Sequence, residues 1–223
     1  MTEHRPIADE FVTANREFAV DFPDVDLQVE PIRRVAVVAC MDSRMDISQL
    51  LGLGHGEAHV IRNAGGVITD DVIRSLCLSQ RLLNTREVVL VHHTDCGLAK
   101  VVEEEFRTQL IHEAGVAPSW ALEAFSDPHS SVRQSMQRLH LSPFLLHRDH
   151  IRGFVYSVTT GLLDKGGTGR LDTEPSGYRP IGDKGSGPRN SESPLMRSRN
   201  CRSDGLYKIP KLGPGVAGGF RDT

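Results

Sequence analysis

The chain has 223 residues, with 26 basic and 29 acidic side chains, 39% hydrophobic residues and only 5% aromatic ones. That length fits one domain with an appendage, and a core large enough to fold without disulfide staples. The net charge of −3 argues against a nucleic-acid partner, and no apolar run reaches the ~18–20 residues of a membrane span. No apolar signal segment follows the first six residues, so export is not expected.

In chain order, residues 10–21 place Phe11, Ala14, Phe18 and Val20 on one stripe, which predicts an amphipathic helix. Residues 33–39 form a short β-branched run, as expected of a strand buried on both faces. A second, shorter strand is expected at residues 58–62. Thr69 or Asp70 can cap a helix carrying Val72, Ile73, Leu76, Gln80 and Leu83 at helical spacing. Residues 86–92 read as another buried strand, followed by a helix from Gly97 through Phe106 to about His112. Residues 115–128 are loop-like and contain the single Trp120; residues 130–141 are helical, and 151–158 form a last strand. Strands alternating with helices predict an α/β fold with a central, mostly parallel sheet flanked by helices. In such sheets ligands collect beyond the carboxyl ends of the strands.

From residue 165 the composition changes. Residues 165–223 hold 12 of the 21 Gly and 6 of the 12 Pro, with 11 basic against 6 acidic side chains, a charge of +5. Residues 1–164 hold the other 15 basic and 23 acidic groups, a charge of −8. So little apolar surface cannot offset the entropy of ordering a chain, which predicts a disordered tail at 165–223 behind a body at 1–164. A solvated extension is the simpler reading; a basic interaction arm centred on Arg197, Arg199 and Arg202 is the alternative.

Three potential metal ligands sit at predicted strand ends. Cys40 directly follows the first strand, and His93 and Cys96 follow the third. Parallel neighbours would bring them to one edge of the sheet as a soft Cys₂His set suited to zinc, with the vacant fourth position of a catalytic site. Buried cysteines and a histidine also occur at strand ends without any metal. Asp42 and Arg44, two and four positions after Cys40, add to the metal reading. A carboxylate there serves as fourth ligand or as acceptor for a bound water, and an arginine keeps it ionised. The plain alternative is a loop salt bridge.

Among the other candidates, Gly65 and Gly66 fit close backbone approach near the site, or simply a turn. His92 should point away from His93 and pack. His55 and His59 are possible proton relays, although a surface histidine usually has no such role. Cys77 reads as a small core residue, and Cys201 as a free thiol. Four cysteines, two in metal use, fit a reducing cytoplasm.

The pair of motifs Cys40-Met-Asp-Ser-Arg44 and His93-Thr-Asp-Cys96-Gly97 resembles the β-class carbonic anhydrases. Val60-Ile-Arg-Asn-Ala-Gly-Gly66 is similar to the family's R-N-A-G segment, residues 70–76 to the helix after it, and residues 151–162 to its closing strand and turn. The likeness runs over roughly residues 8 to 164 and does not include the tail. It implies Zn2+ held by Cys40, His93 and Cys96, and reversible hydration of carbon dioxide to bicarbonate and a proton. It also implies that Asp42 alternates between binding the metal and pairing with Arg44. A homodimer or dimer of dimers, with the N-terminal helix lying across the partner, is implied as well; for that helix, packing on its own core is the alternative. Hydrolases of carbonyl sulfide and carbon disulfide resemble the same family, and a non-catalytic zinc-stabilised binding protein is a further alternative.

Overall fold

The structure is a computed structural model that describes residues 7–23 and 26–168. Its elements in chain order are α1 (Ala8–Ala19), β1 (Val35–Cys40), α2 (Ile47–Leu51), β2 (Ala58–Asn63), α3 (Asp70–Leu82), β3 (Glu87–His93), α4 (Glu103–Ala114), α5 (Pro128–Leu141), β4 (Ile151–Tyr156) and β5 (Leu163–Thr168). Short 3-10 turns at Ala64–Gly66 and Gly97–Lys100 follow β2 and β3.

The strands form one sheet in the order β2-β1-β3-β4-β5, in which the first four are parallel and β5 runs antiparallel to β4. The chain leaves β1 for β2 on one side, then returns to place β3 on the other. That reversal lies between β1 and β3, and at their carboxyl ends such sheets bind ligands. Residues of β1 alternate between two cores. Ala36 and Val38 pack with Val72 and Leu76 of α3 and with Val132, Met136 and Leu139 of α5. Val37 and Ala39 pack on the opposite face with Met45, Ile47, Val91, Leu98 and Phe125. Each fully buried Val or Leu contributes about 2 kcal/mol, so both faces anchor the strand that carries Cys40.

Local signals set the helix starts. The Thr69 hydroxyl accepts from Val72 N at the start of α3, and the Asp127 carboxylate accepts from His129 N and Ser130 N ahead of Pro128 in α5. The helix expected from Gly97 onward is two elements: Val101 and Val102 adopt extended angles between the 3-10 turn and α4. Short α2 was not expected; Asp46 caps it by accepting from Gln49 N.

The boundary placed after residue 164 falls inside β5, so residues 165–168 belong to the sheet rather than to a disordered tail. The reason lies in Gly166, where a Cβ would collide with Val132 of α5. Glycine here permits close packing of an edge strand against a helix, whereas composition alone reads it as flexibility. The remainder of the expected tail, with Arg197, Arg199, Cys201 and Arg202, lies outside the described residues. Among the described residues no helix is long and apolar enough to cross a membrane.

Candidate metal centre at the ends of β1 and β3

Cys40 is the last residue of β1 and His93 the last of β3, and these strands are hydrogen-bonded neighbours. Cys96 follows in the tight turn after β3. Their ligand atoms lie within 4.8 Å of one another, and all three residues are buried. The Cys40 and Cys96 sulfurs are 4.0 Å apart, and both thiols are free.

The hydrogen bonds of His93 fix how it can act. Its Nδ1 lies 2.8 Å from the Thr94 carbonyl oxygen, to which it donates, while Nε2 is buried with no hydrogen-bond partner. A buried nitrogen left with a free lone pair is costly unless something occupies it. Such an arrangement, Nδ1 tied to a carbonyl and Nε2 open, is that of a metal-ligating histidine.

The thiols point the same way. The Cys96 thiol beside it, followed by the His93 ring and the Asp42 and Gly65 amides, lowers the Cys40 thiol to about 4 against the effect of burial. Pairing with Cys40, together with burial, pushes Cys96 far up. Burial opposes a charge on His93, but the neighbouring Cys40 sulfur raises its pKa overall. The three groups therefore hold a proton between them, and a divalent cation would replace it while taking both sulfurs as thiolates. Two soft thiolates and one imidazole suit zinc.

Asp42 and Arg44 form a fork beside this set. Arg44 Nε donates to Asp42 Oδ1 at 3.0 Å and Nη2 donates to Oδ2 at 2.8 Å; the Arg44 amide adds a third bond to Oδ1 at 2.9 Å. These bonds hold the Asp42 carboxyl well below the usual carboxylate range. Asp42 Oδ2 is also 3.8 Å from His93 Nε2, so the carboxylate stands at the edge of the metal position while paired with Arg44.

Gly65 and Gly66 sit in the turn after β2 at φ of 77° and 69°. A Cβ on Gly66 would lie 2.8 Å from Cys40 N, so this glycine lets the turn press against the end of β1. Its carbonyl accepts from His92 Nε2 at 3.1 Å. His92 is wholly buried and its ring lies 5.8 Å from that of Phe125, as a packed histidine should. His59 is not at the site: it pairs with Ala36 near the start of β1, and its Nδ1 bonds Ser79 Oγ at 2.8 Å. The ring of His55 meets Phe18 of α1 edge-on, with ring centroids 6.2 Å apart. Cys77 is half-buried and packs against the α3–α5 core.

Sequence reasoning missed two residues. Arg62 of β2 donates to the Cys40 carbonyl at 2.9 Å and the Asp42 carbonyl at 2.7 Å, fixing the loop that carries both side chains. Asp95 accepts from Arg44 Nη1 at 2.9 Å. The one available signal was position: Arg62 opens the R-N-A-G segment and Asp95 lies inside H-x-x-C.

A family model described as carbonic anhydrase matches residues 35–140. The β-carbonic anhydrase 1 of Mycobacterium tuberculosis is 45% identical over 159 residues, covering 71% of this chain and 97% of that protein. A carbon disulfide hydrolase of Acidianus is 33% identical over 158 residues, covering 60% of this chain and 77% of the relative. Among solved structures, the carbonic anhydrase from Streptococcus mutans superposes with a TM-score of 0.69 at 38% identity, over 74% of this chain and all of that one. With a family model on the core of the sheet, a relative matched over almost its whole length and the same fold at the site, the chain belongs to the β-carbonic anhydrase family.

Proposed function

We propose that the chain is a zinc enzyme catalysing the reversible hydration of carbon dioxide to bicarbonate and a proton. The observation that carries this reading is the convergence of Cys40, His93 and Cys96 beside an ionised Asp42. Zinc supplies an electrophilic centre at which water loses a proton near neutral pH. The protein's part is to hold the ion through two thiolates and His93 Nε2, with Thr94 fixing the tautomer. Asp42 Oδ2 keeps a lone pair beyond its bond to Arg44, and this lone pair would accept a hydrogen bond from water beside the ion and orient it. Arg44 keeps Asp42 ionised and turned toward itself; released from Arg44, the carboxylate, 3.8 Å from His93 Nε2, would be near enough to serve as a fourth ligand. Val67 and Leu98 pack in the same apolar cluster as Cys40 and Cys96 and offer an uncharged, linear substrate a dry wall. The fork on Asp42 also argues against a purely structural ion, which would have no use for it.

The catalytic domain is residues 1–164 extended by β5 to Thr168. A reducing compartment such as the cytoplasm suits two sulfurs 4.0 Å apart that must stay thiolates. A homodimer or a dimer of dimers is supported by α1, whose residues are all exposed, Phe11 at 64% and Phe18 at 53%.

The carbon disulfide hydrolases among the relatives give a second reading, because selectivity between carbon dioxide and its sulfur analogues lies in pocket shape rather than in the ligands. One preparation of measured zinc content, assayed for carbon dioxide hydration and for hydrogen sulfide release from carbon disulfide, separates them. We expect stoichiometric zinc and far faster hydration. Sulfide release outpacing hydration would replace the first reading with the second, and absence of both would leave a binding protein.

A further inference from the structure

Arg44 is held from two sides. Beyond its fork on Asp42, Nη1 donates to Asp95 Oδ2 at 2.9 Å and Nη2 to the Asp95 carbonyl at 3.0 Å. Four of the five guanidinium N–H groups are thus committed, two to each aspartate. The other Asp95 oxygen meets Lys100 Nζ at 2.6 Å. Asp42, Arg44, Asp95 and Lys100 form a chain of alternating charge that links the loop after β1 to the loop after β3, the two loops that carry the ligands. Asp95 itself sits at φ of 55°, a conformation that L-residues other than Asn, Asp and Gly seldom adopt. The turn therefore aims its side chain and its carbonyl at one guanidinium.

We propose that Asp95 is a positioning residue whose carboxylate clamps Arg44 so that Asp42 stays turned away from the metal position. The inference rests on the metal centre argued above. Its physical basis is the geometry of the fork: a bidentate pair is strong only while guanidinium and carboxylate share a plane. Without the Asp95 carboxylate, Arg44 keeps one bond to that loop and can tilt. Asp42, already 3.8 Å from His93 Nε2, then needs only a side-chain rotation to reach the metal and close it.

The test is Asp95→Asn in the zinc-loaded protein. Asn tolerates the positive φ and retains the backbone carbonyl and one acceptor oxygen, so it removes the charge, while Asp95→Gly removes the side-chain bond itself. Asp95→Gly, equally suited to that φ, serves as a second variant should the first fold poorly. The readout is azide binding by calorimetry, since the anion needs the open fourth position, together with zinc content and a crystal structure of the variant. We expect azide affinity to fall about tenfold, in proportion to the lost open population, with zinc content unchanged and Arg44 displaced. Unchanged affinity with Arg44 still on Asp42 would overturn the proposal. Tighter binding would also overturn it, because Asp95 would then be competing with Asp42 for Arg44 rather than clamping it. A wild-type protein that binds no zinc would instead overturn the underlying reading.

Discussion

The strand ends of β1 and β3 and the N-terminal helix treat their side chains in opposite ways. At the strand ends Cys40, His92, His93 and Cys96 are buried, and Asp42 and Arg44 are tied to each other and, through Asp95, to the neighbouring loop. In α1 not one residue is buried, although Phe11, Val12 and Phe18 would be costly to leave in water. At the strand ends the chain's own loops hold each of these side chains in place and leave His93 Nε2 open to a ligand. An apolar helix that the described residues leave uncovered needs something else.

The largest effect should come from His93→Ala. Losing the one neutral ligand leaves two facing sulfurs with no third donor, so zinc should fall well below equimolar and hydration by about a thousandfold or more. Metal analysis beside a stopped-flow assay checks this. Full zinc content in the variant would show that the contrast misplaces the centre.

Gly66→Ala tests how tightly the site is packed. The new Cβ would lie 2.8 Å from Cys40 N at a φ of 69°. Neither backbone can yield easily, and a loss of about 3 kcal/mol in unfolding stability is expected. Denaturant unfolding measures it; a loss below about 1 kcal/mol would mean that the turn is not pressed on β1 as described.

The acid side gives a smaller, pH-dependent effect. Burial lowers His92 from 6.5 to about 4. Between those values the unfolded chain binds a proton that the folded chain does not, so stability is complete above 6.5 and is lost as pH falls toward about 4. The full loss is about 3 kcal/mol at most. His92→Gln should unfold with a flatter pH slope across that window, and equal slopes would indicate a histidine that is protonated where it sits.

These tests bear on features that differed in how legible they were. The runs at β1 and β3 and the cap at Thr69 are local signals, and the strands and the helix they announce are present; the Asp127 cap, which starts α5 two residues before the expected 130, shows only in the structure. Cys40, Asp42, Arg44, His93 and Cys96 converge because their motifs sit at the ends of neighbouring strands. What the chain hid was non-local or had two meanings. Arg62 and Asp95 act on residues far away in sequence, through contacts that only the sheet order creates. Val101 and Val102 break a stretch whose composition reads as continuous helix. Gly166 looks like a linker residue until Val132 is seen against it. His59 has the right chemistry for a relay but the wrong position along β2.

The smallest effect on the chain alone, and the most direct probe of how α1 differs from the strand ends, is expected of Phe11→Asp. Phe11 lies in the first turns of α1, beside Asp9 and Glu10, where a further negative charge suits the helix dipole. Being exposed, it should change the folding of a single chain by no more than about 0.5 kcal/mol. If α1 serves to cover another copy, that charge would be buried against apolar surface without a partner, and assembly should weaken far more than folding. Sedimentation across a range of concentrations should then show the variant shifted toward monomer while its thermal unfolding, measured where both proteins are monomeric, is unchanged. An unaltered mass would mean that α1 is not the contact and that its aromatic face needs another explanation. A loss of folding without a change in mass would mean that the helix packs on its own chain after all.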